Sequence, residues 1–183
     1  MIKRLIIRVL ILALVIGGVR YAMSSKKSNS NASEEQTYSQ KMAELSERSD
    51  AIEKEANDAN AKAATQPAKT PGSANELLDA LNRAYQKKDK YIADLQTMDV
   101  PKKYEEAHAT FLAWQKQEHE TEAKLIEGYK AYNAGKKEVG ASIDSMLESS
   151  ERVSKAYQAK LADIAKKNGF DSIQGFFEQK LKK

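Results

Sequence analysis

At 183 residues the chain is long enough for one or two small domains, and with no cysteine it offers no disulfide framework, no thiolate metal site and no cysteine nucleophile. Lys and Arg number 30 against 26 Asp and Glu, but residues 1–30 hold six of those bases and no acid, which leaves 24 bases against 26 acids in the remainder. The basic balance therefore belongs to the amino-terminal segment, and the interleaved signs beyond it argue against a nucleic-acid binder, which needs a basic stripe on its folded domain.

Residues 1–23 read as a membrane anchor or signal segment. Val9 to Val19 is an unbroken apolar run, with Lys3, Arg4 and Arg8 before it and Arg20 after it. A spanning helix needs about 20 mostly apolar residues. The 19 residues from Leu5 to Met23 approach that length if Arg8 and Arg20 extend their charges to the two interfaces. Leu5, Val9, Leu12, Val15 and Val19 would face lipid, and Tyr21 would lie at the headgroup level. Ala22-Met23-Ser24 also makes a passable cleavage site, so a retained anchor and a removed signal both stay open. The count of flanking bases together with the free amino terminus favours an inside N-terminus, which places the bulk of the chain outside the cytoplasm.

Residues 24–32 form a polar spacer too poor in apolar groups to pack. Ser33 and Gln36 then make a capping box for a helix over residues 33–64. Along it Tyr38, Met42, Leu45, Ser49, Ile52, Ala56, Ala59 and Ala63 alternate steps of four and three. That is a narrow heptad seam, which suggests a stalk that self-associates or docks on a protein partner, or else a solvated spacer helix. Residues 65–73 (TQPAKTPGS) are a proline-containing linker.

Residues 74–183 read as a helical bundle domain. A capping box at Ser73 and Glu76 opens a helix from Ala74 to Met98, with Leu77, Leu78, Leu81, Tyr85, Tyr91, Ile92 and Leu95 on its stripe. Pro101, preset for a first helical position, opens the next helix, which runs to Ala134 before Gly135. A further helix starts between Lys137 and Ser142 and ends at Asn168-Gly169. Asp171 is placed to cap a last short helix carrying Ile173, Phe176, Phe177 and Leu181. No strand-like alternation appears. The expected fold is all-α: an N-terminal membrane helix, a stalk-like helix, then an antiparallel three-helix bundle with a short C-terminal helix.

Chemistry is sparse. On the long middle helix the seam Tyr104, His108, Phe111 continues as Gln115, Glu118 and Glu122 before Leu125 restores the apolar pattern. Those polar turns either line a wet pocket or solvate a helix that outruns its neighbours while Trp114 takes over the packing. His108, Trp114, Gln115, Glu118, Glu122 and Tyr129 are accordingly the candidate binding or polar-core positions. Glu105-x-x-His108 has the spacing of a carboxylate-bridged di-iron ligand pair, but the fold would need that pair twice. His119, the other histidine, is about 16 Å further along the helix, and no metal or other cofactor is expected. There is no G-x-S-x-G, no glycine-rich phosphate loop and no H-E-x-x-H, so no catalytic residues are assigned. Tyrosines along the bundle suit a core with polar tips at its rim or a ligand groove, and Phe170, Phe176 and Phe177 suit docking on the bundle or contact with an anionic membrane.

Val100-Pro101, Tyr104, His108 and Phe111-Leu112 give a P-x-x-aromatic-x-x-x-H-x-x-apolar helix start. Over some 30 residues this resembles small membrane-attached helical-bundle proteins of the bacterial cell envelope, although the acylated cysteine of their lipoprotein versions is missing. The resemblance implies a place and a fold and transfers no activity. The sequence thus points to a membrane-anchored extracytoplasmic helical protein acting as a structural or binding module without catalysis. A secreted ligand-binding protein and a scaffold on the cytoplasmic face are the alternatives.

Overall fold

The structure, a computed structural model, describes residues 33–65, 71–136 and 139–178. Five α-helices follow one another: α1 (Glu34–Thr65), α2 (Pro71–Gln96), α3 (Glu105–Asn133), α4 (Val139–Lys167) and α5 (Ile173–Glu178), with a 3-10 turn, Lys102–Tyr104, leading into α3. The expected anchor and its spacer lie outside the described residues. Among the described residues no helix is long and apolar enough to cross a membrane.

Helix ends follow from local chemistry. The Ser33 amide donates to Gln36 Oε1 (3.0 Å) and the Gln36 amide donates to Ser33 Oγ (3.3 Å), closing the capping box at the start of α1. Helix α2 begins three residues earlier than the Ser73 box suggested, because Pro71 itself takes the first helical position, where a missing N–H costs nothing. Pro101 holds extended backbone (ψ 143) and precedes a 3-10 turn rather than opening α3 directly. At the end of α4 the Gly169 amide donates to the Lys166 carbonyl and the Phe170 amide to the Ala165 carbonyl, both at 3.0 Å. Gly169 has φ +80, the left-handed geometry this Schellman closure needs. Ser172 caps α5, its Oγ accepting from the Gly175 amide at 2.9 Å, and so replaces Asp171 as the expected cap.

The helices pack in chain order, α1 on α2, α2 on α3 and α3 on α4, while α5 bridges α1 and α4. Cross-links fix the directions. Arg48 pairs with Asp94 and Glu55 with Arg83, so α1 and α2 are antiparallel; His119 pairs with Asp89, which sets α3 antiparallel to α2. The expectation of a separate stalk beside a three-helix bundle is therefore corrected: α1 is a fourth helix of the bundle. Its seam is used within the chain, with Tyr38 1% and Leu45 6% exposed in one core with Tyr91, Leu95, Tyr104 and Trp114. Small residues on the same face, Ala43, Ser46 and Ser49, let α1 approach closely. Phe176 and Phe177 complete that core, ring against ring with Tyr104 at 5.0 and 6.5 Å, so α5 closes the end of the bundle. On the other side of α3, Gly128 allows close approach to α4: a Cβ there would lie 3.0 Å from Ile143 Cγ1.

Candidate functional site, a charged layer inside the bundle

Helix α3 is central, and its buried face is broad enough to include Trp114, Gln115 and Glu118 together. The polar turns of its seam thus do not solvate an overhanging helix. Gln115 is 1% and Glu118 4% exposed. A buried carboxylate costs several kcal/mol unless it is paired, and the pairing comes from α2. Lys88, 11% exposed at its side chain, puts Nζ 2.7 Å from Glu122 Oε1 and 3.8 Å from Glu118 Oε2. From α3 itself the Trp114 indole N–H donates to Glu118 Oε1 at 2.6 Å. Helix α1 adds Glu53, which acts electrostatically on Lys88, Glu118 and the Tyr91 hydroxyl.

The layer holds three carboxylates around one ammonium. Burial pushes Glu118 up to about 7; Lys88 and the Trp114 hydrogen bond work against this, and Glu122 adds to it. Burial likewise raises Glu53 to about 7, against the pull of Lys88 and with the help of Glu118. For Glu122, burial raises the carboxyl, but Lys88 and His119 outweigh it and hold the group below its ordinary range. Lys88 is the mirror image: burial lowers it, the glutamates more than compensate, and it stays charged. Four buried polar atoms in or beside the layer have no hydrogen-bond partner among the described residues: Glu53 Oε2, Gln115 Nε2, Glu118 Oε2 and His119 Nδ1. Glu53 Oε2, which has no such partner, can carry a proton. The layer therefore binds a proton more tightly than the same residues would unfolded.

His119 extends the network toward the rim. Its Nε2 lies 2.7 Å from Asp89 Oδ1, its Nδ1 3.6 Å from Glu122 Oε2, and its ring stacks on Tyr85 at 3.9 Å. Burial lowers its affinity for a proton, but Glu122 and Asp89 together raise it above the usual value.

His108 lies elsewhere and does something different. The Leu95 carbonyl, 2.9 Å from Nε2, can only accept, so Nε2 carries the proton and Nδ1 accepts from the Tyr38 hydroxyl at 3.0 Å. Burial lowers its proton affinity and keeps it neutral, although the Leu95 hydrogen bond opposes this. His108 joins α1, the end of α2 and α3 in the hydrophobic half of the bundle. Tyr129 is half-buried, its hydroxyl pushed up to about 12 by burial and by Asp144, and it stands apart from both histidines on the α3–α4 side. Among the described residues no group of three or more acidic, histidine or cysteine side chains is arranged to hold a metal ion.

The structure thus brings together Trp114, Gln115, Glu118 and Glu122 and leaves His108 and Tyr129 outside. Sequence reasoning missed Lys88, Glu53, Asp89 and the Tyr85–His119 stack. Lys88 had a readable signal: it occupies the seam step between Ala84 and Tyr91 and Leu95, a lone cation on an apolar stripe. No protein-family model, no curated protein and no solved structure matches the chain.

Proposed function

We propose that this is a membrane-tethered helical bundle of the cell envelope that serves as a structural or binding module without catalysis. The observation that carries the reading is the apolar run Val9–Val19, bounded by bases on both sides and joined through a short polar spacer to the first helix of the bundle. The resemblance of the Pro101–Leu112 segment to small envelope proteins supports the same address. The absence of turnover is supported by where the ionisable groups lie. Glu118 is 4% and Lys88 11% exposed at the side chain, which leaves little of either open to a substrate. Partner binding falls to the outer faces of the helices, since the α1 seam proposed for self-association is occupied by α2 and α3.

The test is protease accessibility of a C-terminal tag in intact cells or spheroplasts, with the intact mass of the mature chain. A full-length protein whose tag is cut from outside supports the proposal. A mature chain starting near Ser25 replaces it with a secreted binding protein, and a full-length protein with a protected tag replaces it with a scaffold on the cytoplasmic face.

A further inference from the structure

The two halves of α1 are held by different forces. The N-terminal half buries Tyr38, Met42 and Leu45, and Tyr38 stacks on Tyr104 at 4.8 Å. Among its described side chains the C-terminal half offers half-buried Ile52, Ala56 and Ala59, little apolar area, together with ion pairs from Glu55 to Arg83 and Lys87 whose cationic side chains are 57% and 54% exposed. Exposed pairs of that kind contribute little and weaken with salt. Between the halves stands Glu53, half-buried, with one carboxyl oxygen unpartnered.

We infer that the Glu53–Lys88–Glu118 layer is a pH-sensitive latch, which holds the C-terminal half of α1 on the bundle in mild acid and releases it as the pH rises to neutrality. The groups that face Glu53 decide the sign. Helix α2 presents Lys88 and the Tyr91 hydroxyl, α3 presents Glu118 and Glu122, and α1 itself adds Asp50. With Lys88 closer to Glu122 than to Glu118, ionising both Glu53 and Glu118 leaves two negative charges on facing helices sharing one ammonium. Protonating either one removes the repulsion. Swinging α1 outward also removes it, by returning Glu53 to water. The proton is taken up on closing because the carboxyls bind it more tightly inside the layer than in water.

The cysteine-free chain makes the test direct. Full-length protein in detergent, carrying spin labels at Asp58→Cys on α1 and Glu120→Cys on α3, both exposed positions, is measured by pulsed electron resonance at about pH 5 and about pH 8. A second pair, Lys41→Cys and Lys102→Cys, reports on the N-terminal half of α1. The expected result is one distance for the first pair at the lower pH and an added longer population at the higher one. The open-to-closed ratio should rise by up to about tenfold per pH unit between the ordinary carboxylate range and neutrality, and level off above it. The second pair should stay unchanged. The double variant Glu53→Gln, Glu118→Gln, whose amides imitate the protonated carboxyls, should hold the closed distance at both pH values. No pH response in the parent, an undiminished response in the double variant, or equal changes in both label pairs would each overturn the latch.

Discussion

Replacing Lys88 by Met keeps most of the side-chain stem against the core and removes the ammonium that pairs with Glu118 and Glu122. At 2.7 Å from Glu122 and 3.8 Å from Glu118 the gross attractions are several kcal/mol each at an effective dielectric constant of about 20. Desolvation of the lysine offsets much of that, and the stranded carboxyls can escape part of the penalty by binding protons. Breaking a buried pair by removing one partner typically costs about 3–5 kcal/mol, and that is the loss expected for Lys88→Met at pH 7.5. The sign of its pH dependence follows from the same groups. Without Lys88 the folded-state proton affinities of Glu53, Glu118 and Glu122 all rise, so the folded state binds more protons than the unfolded one and loses stability as the pH climbs. Near pH 5 the carboxyls are largely protonated, and the loss should shrink to about 1 kcal/mol. Urea denaturation followed by circular dichroism at both pH values measures it, with Lys88→Met, Glu118→Gln as the companion that should recover part of the stability at pH 7.5. A loss under 1 kcal/mol at pH 7.5, or the same loss at both pH values, would refute the assignment of Lys88 as the counter-ion of the layer.

Other consequences are accessible to the same denaturation assay. Trp114→Phe should cost about 1.5–3 kcal/mol at neutral pH, because it deletes a hydrogen bond to a charged group, and the loss should diminish in acid. Gly128→Ala should destabilise by about 1–3 kcal/mol despite the better helix propensity of alanine, since its Cβ would press on fully buried Ile143; a stabilised variant would mean that α3 and α4 separate freely. His108→Phe should cost about 1–3 kcal/mol by stranding the Tyr38 hydroxyl and the Leu95 carbonyl. The parent histidine, with its proton affinity lowered in the fold, should draw stability away as the pH falls below the ordinary histidine range, a contribution absent from the variant. Phe176→Ala should cost about 3–5 kcal/mol, the usual penalty for emptying a buried aromatic site.

The helices were legible in the sequence because each carries its own stop signs. Ser33 with Gln36, Gly135, and Asn168-Gly169 act within one turn of chain, and periodicity did the rest. What was not legible depends on partners distant in sequence. The α1 seam, apolar at Tyr38 to Leu45 and then alanine-poor in buried area, fits a stalk as well as a bundle helix. Contacts such as Tyr38 with His108, 70 residues on, and Arg48 with Asp94 distinguish the two. The same holds for the charged layer. Gln115, Glu118 and Glu122 showed as a fault in the seam of α3, but whether such a fault is solvated or buried is decided by Lys88 and Glu53 on other helices. Single seams record where apolar residues stop; they do not record which interruptions lie at one level of a bundle.

The link between Tyr38 and His108 also bears on how the chain is made. A polypeptide emerges N-terminus first, so α1 leaves the ribosome with α2 as its first companion. The core that receives Tyr38 waits for Tyr104, His108 and finally Phe176. During that interval the α1–α2 hairpin must carry an exposed apolar stripe beside its charged residues. Stripes of this kind invite wrong pairings between nascent chains and slow the final closure. Synthesis that pauses, or ends, before α5 would release a bundle whose aromatic end stands open.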